Sequence, residues 1–356
     1  MTESTEQPSA SAILEQLTDV EATPAILPRG KWLARASRRH PLAMMVARRT
    51  VTGAVVLWVI SVLIFGGTEI LPGNAAYAVL GRNASPAALA SLQQQLGLTK
   101  PAYQRYADWL SGIMQGNLGQ SLTAHESVST FIAGRFGNTL ILAGAAMVIM
   151  LPLSLVLGIL AGVRPGGRLD NLISQPSLAL IAFPDFVVGG ILAAFLGVAL
   201  QLVPPVSLIL PGTSPLSQPQ LLVLPTATLV LVGFAYMVRM IRAGMSEVMM
   251  SDYIEMAYLN GLPHRRIVLR HALRNALAPT VQVTALTLQW LLGGIFIVET
   301  LFDYPGIGQG FVQAVQARDI PTVQSVGIII AALYIAINIL ADVVVVLLIP
   351  KLRTQV

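Results

Sequence analysis

Side chains able to do chemistry are scarce in this chain, and they crowd into one stretch. Residues 251–279, "SDYIEMAYLNGLPHRRIVLRHALRNALAP", hold two acids, four arginines and two histidines, broken once at Gly261-Leu262-Pro263. Such a set is suited to recognition by charge and hydrogen bonding. Covalent and metal chemistry fare worse. The chain has no Cys, hence no disulfide, thiolate nucleophile or thiolate ligand. His40, His125, His264 and His271 show no zinc-ligand spacing. Lys31, Lys100 and Lys351 all lack the Gly-x4-Gly-Lys-[Ser/Thr] context that cradles a nucleotide's phosphates, so this chain does not bind ATP in that way.

The local pattern around the polar stretch reads as two short helices. Met245, Met249, Tyr253 and Met256/Ala257 recur at helical spacing over 245–259. Asn260-Gly261 is a stop, because Gly accepts the left-handed conformation that follows a helix end. Pro263 then opens a second helix, expected to last to Ala278 before Pro279. Arg266, Arg270 and Arg274 make a basic stripe along it. A basic helix–turn–helix can read DNA, but hydrocarbon-length apolar runs on both sides argue against nucleic acid as a partner. Two readings remain: basic residues holding a loop at lipid headgroups, or a docking element that passes a partner's motion to two membrane spans.

The surrounding elements are membrane spans. Hydrophobic residues make up 54% of the chain and charged residues 11%, against roughly 25% charge in a soluble domain. Six runs approach the length of a spanning helix, near 51–71, 138–163, 172–202, 221–240, 280–299 and 324–349. Pro184 should kink the third. Six crossings put both termini on one side. Seven Lys/Arg precede the first span, two lie in 164–171, six in 239–278 and two at the C-terminus, against five on the other face. The positive-inside rule makes the basic face cytoplasmic. The expected class is therefore an all-α integral membrane protein. A cytoplasmic N-terminal extension covers residues 1–49, an acidic tail and then a basic helix beside lipid headgroups or a partner. The transmembrane domain covers 50–353, with an outer loop at 72–136 and a cytoplasmic loop at 241–279.

The outer loop is expected to hold a helix from Ser85 to Gly97 and an interfacial one from Pro101, with Tyr103, Tyr106, Trp109, Leu110, Ile113 and Met114. The 203–220 loop, with five prolines, should be stiff and irregular. After the fifth span, "ETLFDYPGIGQG" combines Glu299, Asp303, Tyr304, Pro305, Gly306, Gly308 and Gly310. It reads either as an ordinary turn or as a gate beside a translocation path. Isolated acids inside spans are costly. Asp185, with Phe186 beside the Pro184 kink, is a candidate for the substrate path or a packing element, and Phe183 shares that position. Glu299 is a gate residue or a salt-bridge partner for Arg318. Asp342 is expected in a helix-packing or cytoplasmic-end contact.

The polar stretch resembles a known family. "EMAYLNGLPHRRI" is similar to the cytoplasmic signature of ATP-binding-cassette importer permeases: Glu255, Ala257, Gly261 and Ile267 match, with Met256 where Ala is usual. "QRYADWLSGIMQGNLGQS", "GRFGNTLILA", "RHALRNALAP", "GGIFIVETLFDYPGIGQG" and "ARDIPTVQ" resemble the dipeptide/oligopeptide/nickel branch, as does "NILADVVVVLLIPKLR", with Ile349-Pro350 in place of Asp-Pro. The likeness runs from about residue 45 to 353.

The resemblance implies a non-enzymatic pore subunit in the cell (inner) membrane, both termini cytoplasmic, paired with a second, paralogous permease. ATP and Mg would sit on two separate ATPase subunits, and an external binding protein would deliver dipeptides or oligopeptides. It further implies that Ser251, Asp252, Tyr253, Glu255, Met256, Ala257, Asn260, Gly261, Leu262, Arg265 and Ile267 form the ATPase-coupling element. A nickel or other small-solute importer of the same family is the alternative. An ion-coupled secondary transporter would need more intramembrane ionisable groups or inverted repeats.

Overall fold

The computed structural model describes residues 41–70, 85, 87, 94, 100–210 and 212–348. The expected acidic tail, most of the basic block and the C-terminal Lys351 and Arg353 lie outside the described residues. So does most of the helix expected at 85–97, of which Ala87 and Gln94 are helical. Regular structure among the described residues is helical, apart from one isolated bridge between Gln120 and Ser127.

Helix α1 (Pro41–Ile70) extends ten residues ahead of the run expected from 51, and it pairs antiparallel with α10 (Ile320–Leu348). In lipid, apolar side chains gain nothing by leaving hydrocarbon, so close backbone approach at small residues does the packing. A Cβ on Gly53 would come within 2.6 Å of Ile335, and Gly327 receives Ile64 in the same way near the other end. Polar contacts fix the register, with Gln324 donating to Thr68 at 2.7 Å and Arg49 pairing with Asp342 at 3.1 Å. Asp342 thus has the end-of-helix partner expected of it. Helix α2 (Ala102–Met114) lies against the far half of α1 through Tyr106 and Ser61 (2.8 Å) and the rings of Phe65, Tyr106 and Trp109.

Helix α3 (Val128–Val163) packs on α6 (Val223–Met249), the most enclosed of the long helices. Gly158 and Gly162, one turn apart, face Ile241 and Met245. A Cβ at Gly162 would sit 2.7 Å from the carbonyl oxygen of Arg242, a backbone atom that cannot move aside. Large exposed side chains such as Trp58, Leu63, Val148 and Phe195 face outward, as a lipid-bathed surface allows.

The third expected span departs most from the sequence pattern. Instead of a kink, α4 (Arg168–Ile181) and α5 (Asp185–Leu192) are separate helices, and the pair bends by 106° across Ala182–Pro184. Pro184 has no N–H to continue the ladder and holds an extended ψ of 150°. Helix α5 runs into a π-helical stretch at Ala193–Ala199. Among the described residues, five helices are long and apolar enough to cross a membrane, or six if the bent pair counts as one span. The pair starts where Asp170 meets Arg242, near the C-terminal end of α6. Its other half reaches the start of α6, where Gly189 packs on Thr228, and in the loop beyond it Ser207 donates to Phe302 O (2.7 Å) and Leu221 O (2.6 Å). Leu221 to Arg242 spans about 30 Å along a helix, one hydrocarbon thickness.

Candidate functional site

The polar stretch folds into a platform at the arginine-rich end of the molecule. The sequence periodicity predicts one helix over 245–259, but α6 stops at Met249. Ser251 is extended (φ −79°, ψ 148°) and donates its hydroxyl to Val248 O at 2.5 Å, a local bond that competes with helix continuation. Helix α7 (Asp252–Leu259) follows, with Asp252 and Glu255 in its first turn, where acids suit the helix dipole. At its end Gly261 takes φ +73°, and the N–H groups of Gly261 and Leu262 return to Tyr258 O and Ala257 O.

Eight residues cannot hold a helix alone, so packing must do so. Ile254 and Ala257 are buried against Met245, Ile267, Ala272 and Ala276. Asn275 donates to the Tyr253 hydroxyl at 2.8 Å, and the Tyr258 hydroxyl lies 2.6 Å from His264 Nδ1. The opposite face is open: Asp252, Glu255, Met256 (58% exposed) and Leu259 (75%) project from α7, and Asn260 and Arg265 are exposed beside it. Of the expected coupling residues, Ala257 and Ile267 therefore act as core, Ser251 and Leu262 are half-buried, and the others form surface.

The second short helix does not end at Pro279. A turn at His264–Arg266 leads through a π-helical stretch at Ile267–Ala272 into α8 (Leu273–Leu301), which runs straight through Pro279. The platform and the fifth span are consequently one rod. A clamp ties α6 to the first turn of α4: Asp170 accepts from Arg242 Nε (2.9 Å) and Nη2 (2.6 Å), from Gly166 N–H (2.8 Å) and from Ser174 (2.8 Å).

At the other end of α8, Glu299 is fully buried. It accepts from Thr139 Oγ1 (2.6 Å) and from the N–H groups of Gly308 (2.7 Å) and Gln309 (3.3 Å), rather than from Arg318. It thereby caps the N-terminus of α9 (Ile307–Gln316). Gly306 leaves room for that carboxylate, since any Cβ there would run into it, and Gly308 lets α9 touch Phe296. The Tyr304 hydroxyl donates to Asn138 O (2.8 Å), and Asn138 Nδ2 donates to Pro305 O (2.9 Å). Burial and then the charge of Glu299 raise the Tyr304 phenol above its ordinary value, so it stays a donor. Beyond α9, Asp319 caps α10 and accepts from Ser121, Leu122 N–H (3.1 Å) and Thr123 Oγ1 (3.0 Å). Burial opposes its ionisation, but the hydrogen bonds from Ser121, Leu122, Thr322 and Thr123 outweigh it and hold the carboxyl below its ordinary value.

Midway along α8 an open cavity of about 590 Å³ is lined by Asp185, Phe183, Tyr236, Leu286 and Trp290 among others. Asp185 lies over Gly294 of α8. Phe186, more than half exposed, points elsewhere, so Asp185, Phe186 and Glu299 do not share one site.

Sequence comparison decides the family. Residues 154–354 match the model of the binding-protein-dependent transport system inner membrane component, and residues 42–143 match the N-terminal membrane component of such systems. The chain belongs to this permease family.

Its relatives include a probable peptide ABC transporter permease of Sinorhizobium fredii, 30% identical over 88% of this chain and 100% of the relative. A di/tripeptide transport system permease of Pseudomonas aeruginosa is 34% identical over 83% of this chain and 94% of its own length. A glutathione transport system permease of Escherichia coli is 33% identical with the same coverage. The match over 154–354 runs from the last ten residues of α3 onward, and so includes α7, α8 and the α9 assembly. Sequence reasoning singled out α7, Glu299 and Tyr304–Gly308. It missed Asp170, Arg242, Thr139, Asp319 and the ring pair Tyr236 and Trp290. Of these, Thr139 and Asp319 lay in noted motifs, "GRFGNTLILA" and "ARDIPTVQ".

Proposed function

We propose that this permease is a pore subunit of an ATP-driven importer that carries dipeptides or oligopeptides across the cell (inner) membrane by alternating access. It pairs with a second, paralogous permease above two ATPase subunits that hold ATP and Mg, and an external binding protein delivers the cargo. The names of its relatives favour peptides over nickel. The bent α4–α5 pair counts as the third of six crossings, because its two ends meet opposite ends of α6; both termini then lie in the cytoplasm.

One observation carries this reading. Helix α7 exposes acids, Met256 and Leu259 on one face while its other face is keyed into α6 and α8 through Ile254, Ala257 and Ile267. A partner gripping the open face would move two spans at once. Closure of the ATPases would push α7, and α8, about 43 Å of helix at 1.5 Å per residue, would carry the displacement past the Asp185 cavity to the Glu299 assembly. The outer segment Tyr304–Gly308 would then act as the gate.

Because the chain has no native cysteine, a single cysteine at Met256 or Leu259 gives a clean test. With a short bifunctional reagent it should cross-link to an ATPase subunit, while a cysteine at lipid-facing Leu63 should not. Equal cross-linking from all three positions would remove α7 as the docking element.

A further inference from the structure

The cavity at the α4–α5 bend has a composition that the coupling and gating elements leave unused. Asp185 is the charged residue among its lining groups, and the rest of the wall is apolar or aromatic. Tyr236 and Trp290 are 44% and 37% exposed, unusual for rings at the middle of a helix bundle. Gly294 makes room for the carboxylate: a Cβ there would lie 2.9 Å from Asp185 Oδ2 and under 4 Å from the Trp290 ring. Helix α4 ends at this cavity, with Ala182 and Phe183 on its wall. A helix C-terminus carries partial negative charge, and breaks in spanning helices commonly build transporter substrate sites. An acid this deep must face a partner or water, and the cavity gives it that access. The N-terminus of α5 meets the C-terminus of α4 at the same bend, so the helix dipoles offset, and it is the carboxylate and the two ring faces that favour a cation.

We infer that Asp185, flanked by Tyr236 and Trp290, receives the free α-ammonium group of a peptide as it passes through the permease. This rests on the peptide-importer reading and adds to it a demand for a positively charged amino terminus inside the membrane domain. Gly294 is a positioning residue that keeps the carboxylate within reach of the rings.

The test uses the complete importer in proteoliposomes with saturating binding protein, measuring uptake of the dipeptide Ala-Phe and of its N-acetyl form alongside ATP hydrolysis. Asp185→Asn should lower Ala-Phe uptake by about tenfold or more, the scale of one lost charge-assisted hydrogen bond, with stimulated hydrolysis retained. Uptake of the acetylated peptide should stay at its parental level, and Asp185→Glu should restore most Ala-Phe uptake. Gly294→Ala, which crowds the carboxylate and keeps its charge, should give a smaller loss and serves if Asp185→Asn does not assemble. Unchanged Ala-Phe uptake in Asp185→Asn would overturn the inference. So would a parallel loss of uptake and hydrolysis that glutamate does not rescue, which marks a structural acid. A parent complex that imports neither peptide would overturn the peptide reading itself, a result distinguishable from failure of the variant alone.

Discussion

Asp170 and Arg242 meet across 72 residues of chain in a two-pronged ion pair, Nε to Oδ1 at 2.9 Å and Nη2 to Oδ2 at 2.6 Å. The pair fastens the first turn of α4 to the last turns of α6, one helix break away from α7. Under the proposed coupling, motion imposed on α7 and α6 would be shared with α4.

Breaking this pair from the arginine side should be the more damaging change. Asp170 is 3% exposed and Arg242 33%, so Arg242→Ala strands a buried carboxylate. The expected loss is about 3 kcal/mol, the low end for a buried pair. Asp170→Asn should cost less, since the guanidinium can turn to water. The double variant should be no less stable than Arg242→Ala alone. Thermal unfolding of the purified protein in determined detergent micelles checks the order of all three.

Glu299 should tolerate no amide. Its two oxygens accept from three donors on two elements, Thr139 of α3 and the Gly308 and Gln309 N–H groups of α9, and Gln would have to reverse the Thr139 bond onto a hydroxyl that already accepts from Ile307 N–H. Glu299→Gln should therefore destabilise the outer segment by about 1–3 kcal/mol and speed protease cleavage between Asp303 and Asp319. Cleavage at the parental rate would show that the carboxylate does not hold the segment.

The Asp319 cap should make outer-loop stability fall in acid. Its folded value lies below the ordinary carboxylate value, about 4, so ionisation favours the folded form. The contribution is complete above that ordinary value and is lost as pH falls through the lower, folded one. Thermal midpoints in nanodiscs from pH 7 to pH 3 should drop more for the parent than for Asp319→Asn, which starts lower.

Topology can be read from three exposed positions. Cysteines at Ala124 and Ser217 should react with an impermeant reagent added outside intact cells, and one at Pro165 should not. Labelling at Pro165 would mean that the α4–α5 pair does not cross.

Much of this was legible in residue pattern. Long apolar runs marked the spans, the arginine count separated the two ends, and Asn260-Gly261 placed the end of α7, where φ is indeed +73°. The failures have local physical causes. Period alone could not separate α6 from α7, because the break depends on one Ser251 hydroxyl returning to Val248. Pro279 looked like a stop, yet it sits in the second turn of α8, and the helix runs on to Leu301. Pro184 signalled a kink, but the 106° bend also depends on what α4 and α5 pack against. Asp170 and Asp319 carried no periodic signal, and their partners lie far away in sequence. For Glu299 the nearest arginine, Arg318, was a natural partner to expect, but backbone N–H groups of a helix start were closer. The small residues at 306 and 308 were the available hint, because only Gly fits beside that carboxylate at 306 and against Phe296 at 308.

The central claim, that α7 couples ATP hydrolysis to the spans, is tested most directly by Gly261→Val and Glu255→Lys. At Gly261 nothing stands within 4 Å of a built Cβ, so the cost of Val comes from φ +73° alone, which a β-branched side chain resists. At Glu255 the exposed face changes sign without disturbing the Ile254 and Ala257 core. Losing one partner of a buried charged contact costs about 2–5 kcal/mol. The decisive measurement is substrate-stimulated ATP hydrolysis and uptake in proteoliposomes, together with co-purification of the ATPase subunits. Both variants should insert normally but lose ATPase binding or split hydrolysis from uptake. Parental assembly, hydrolysis and uptake in both would contradict the coupling role.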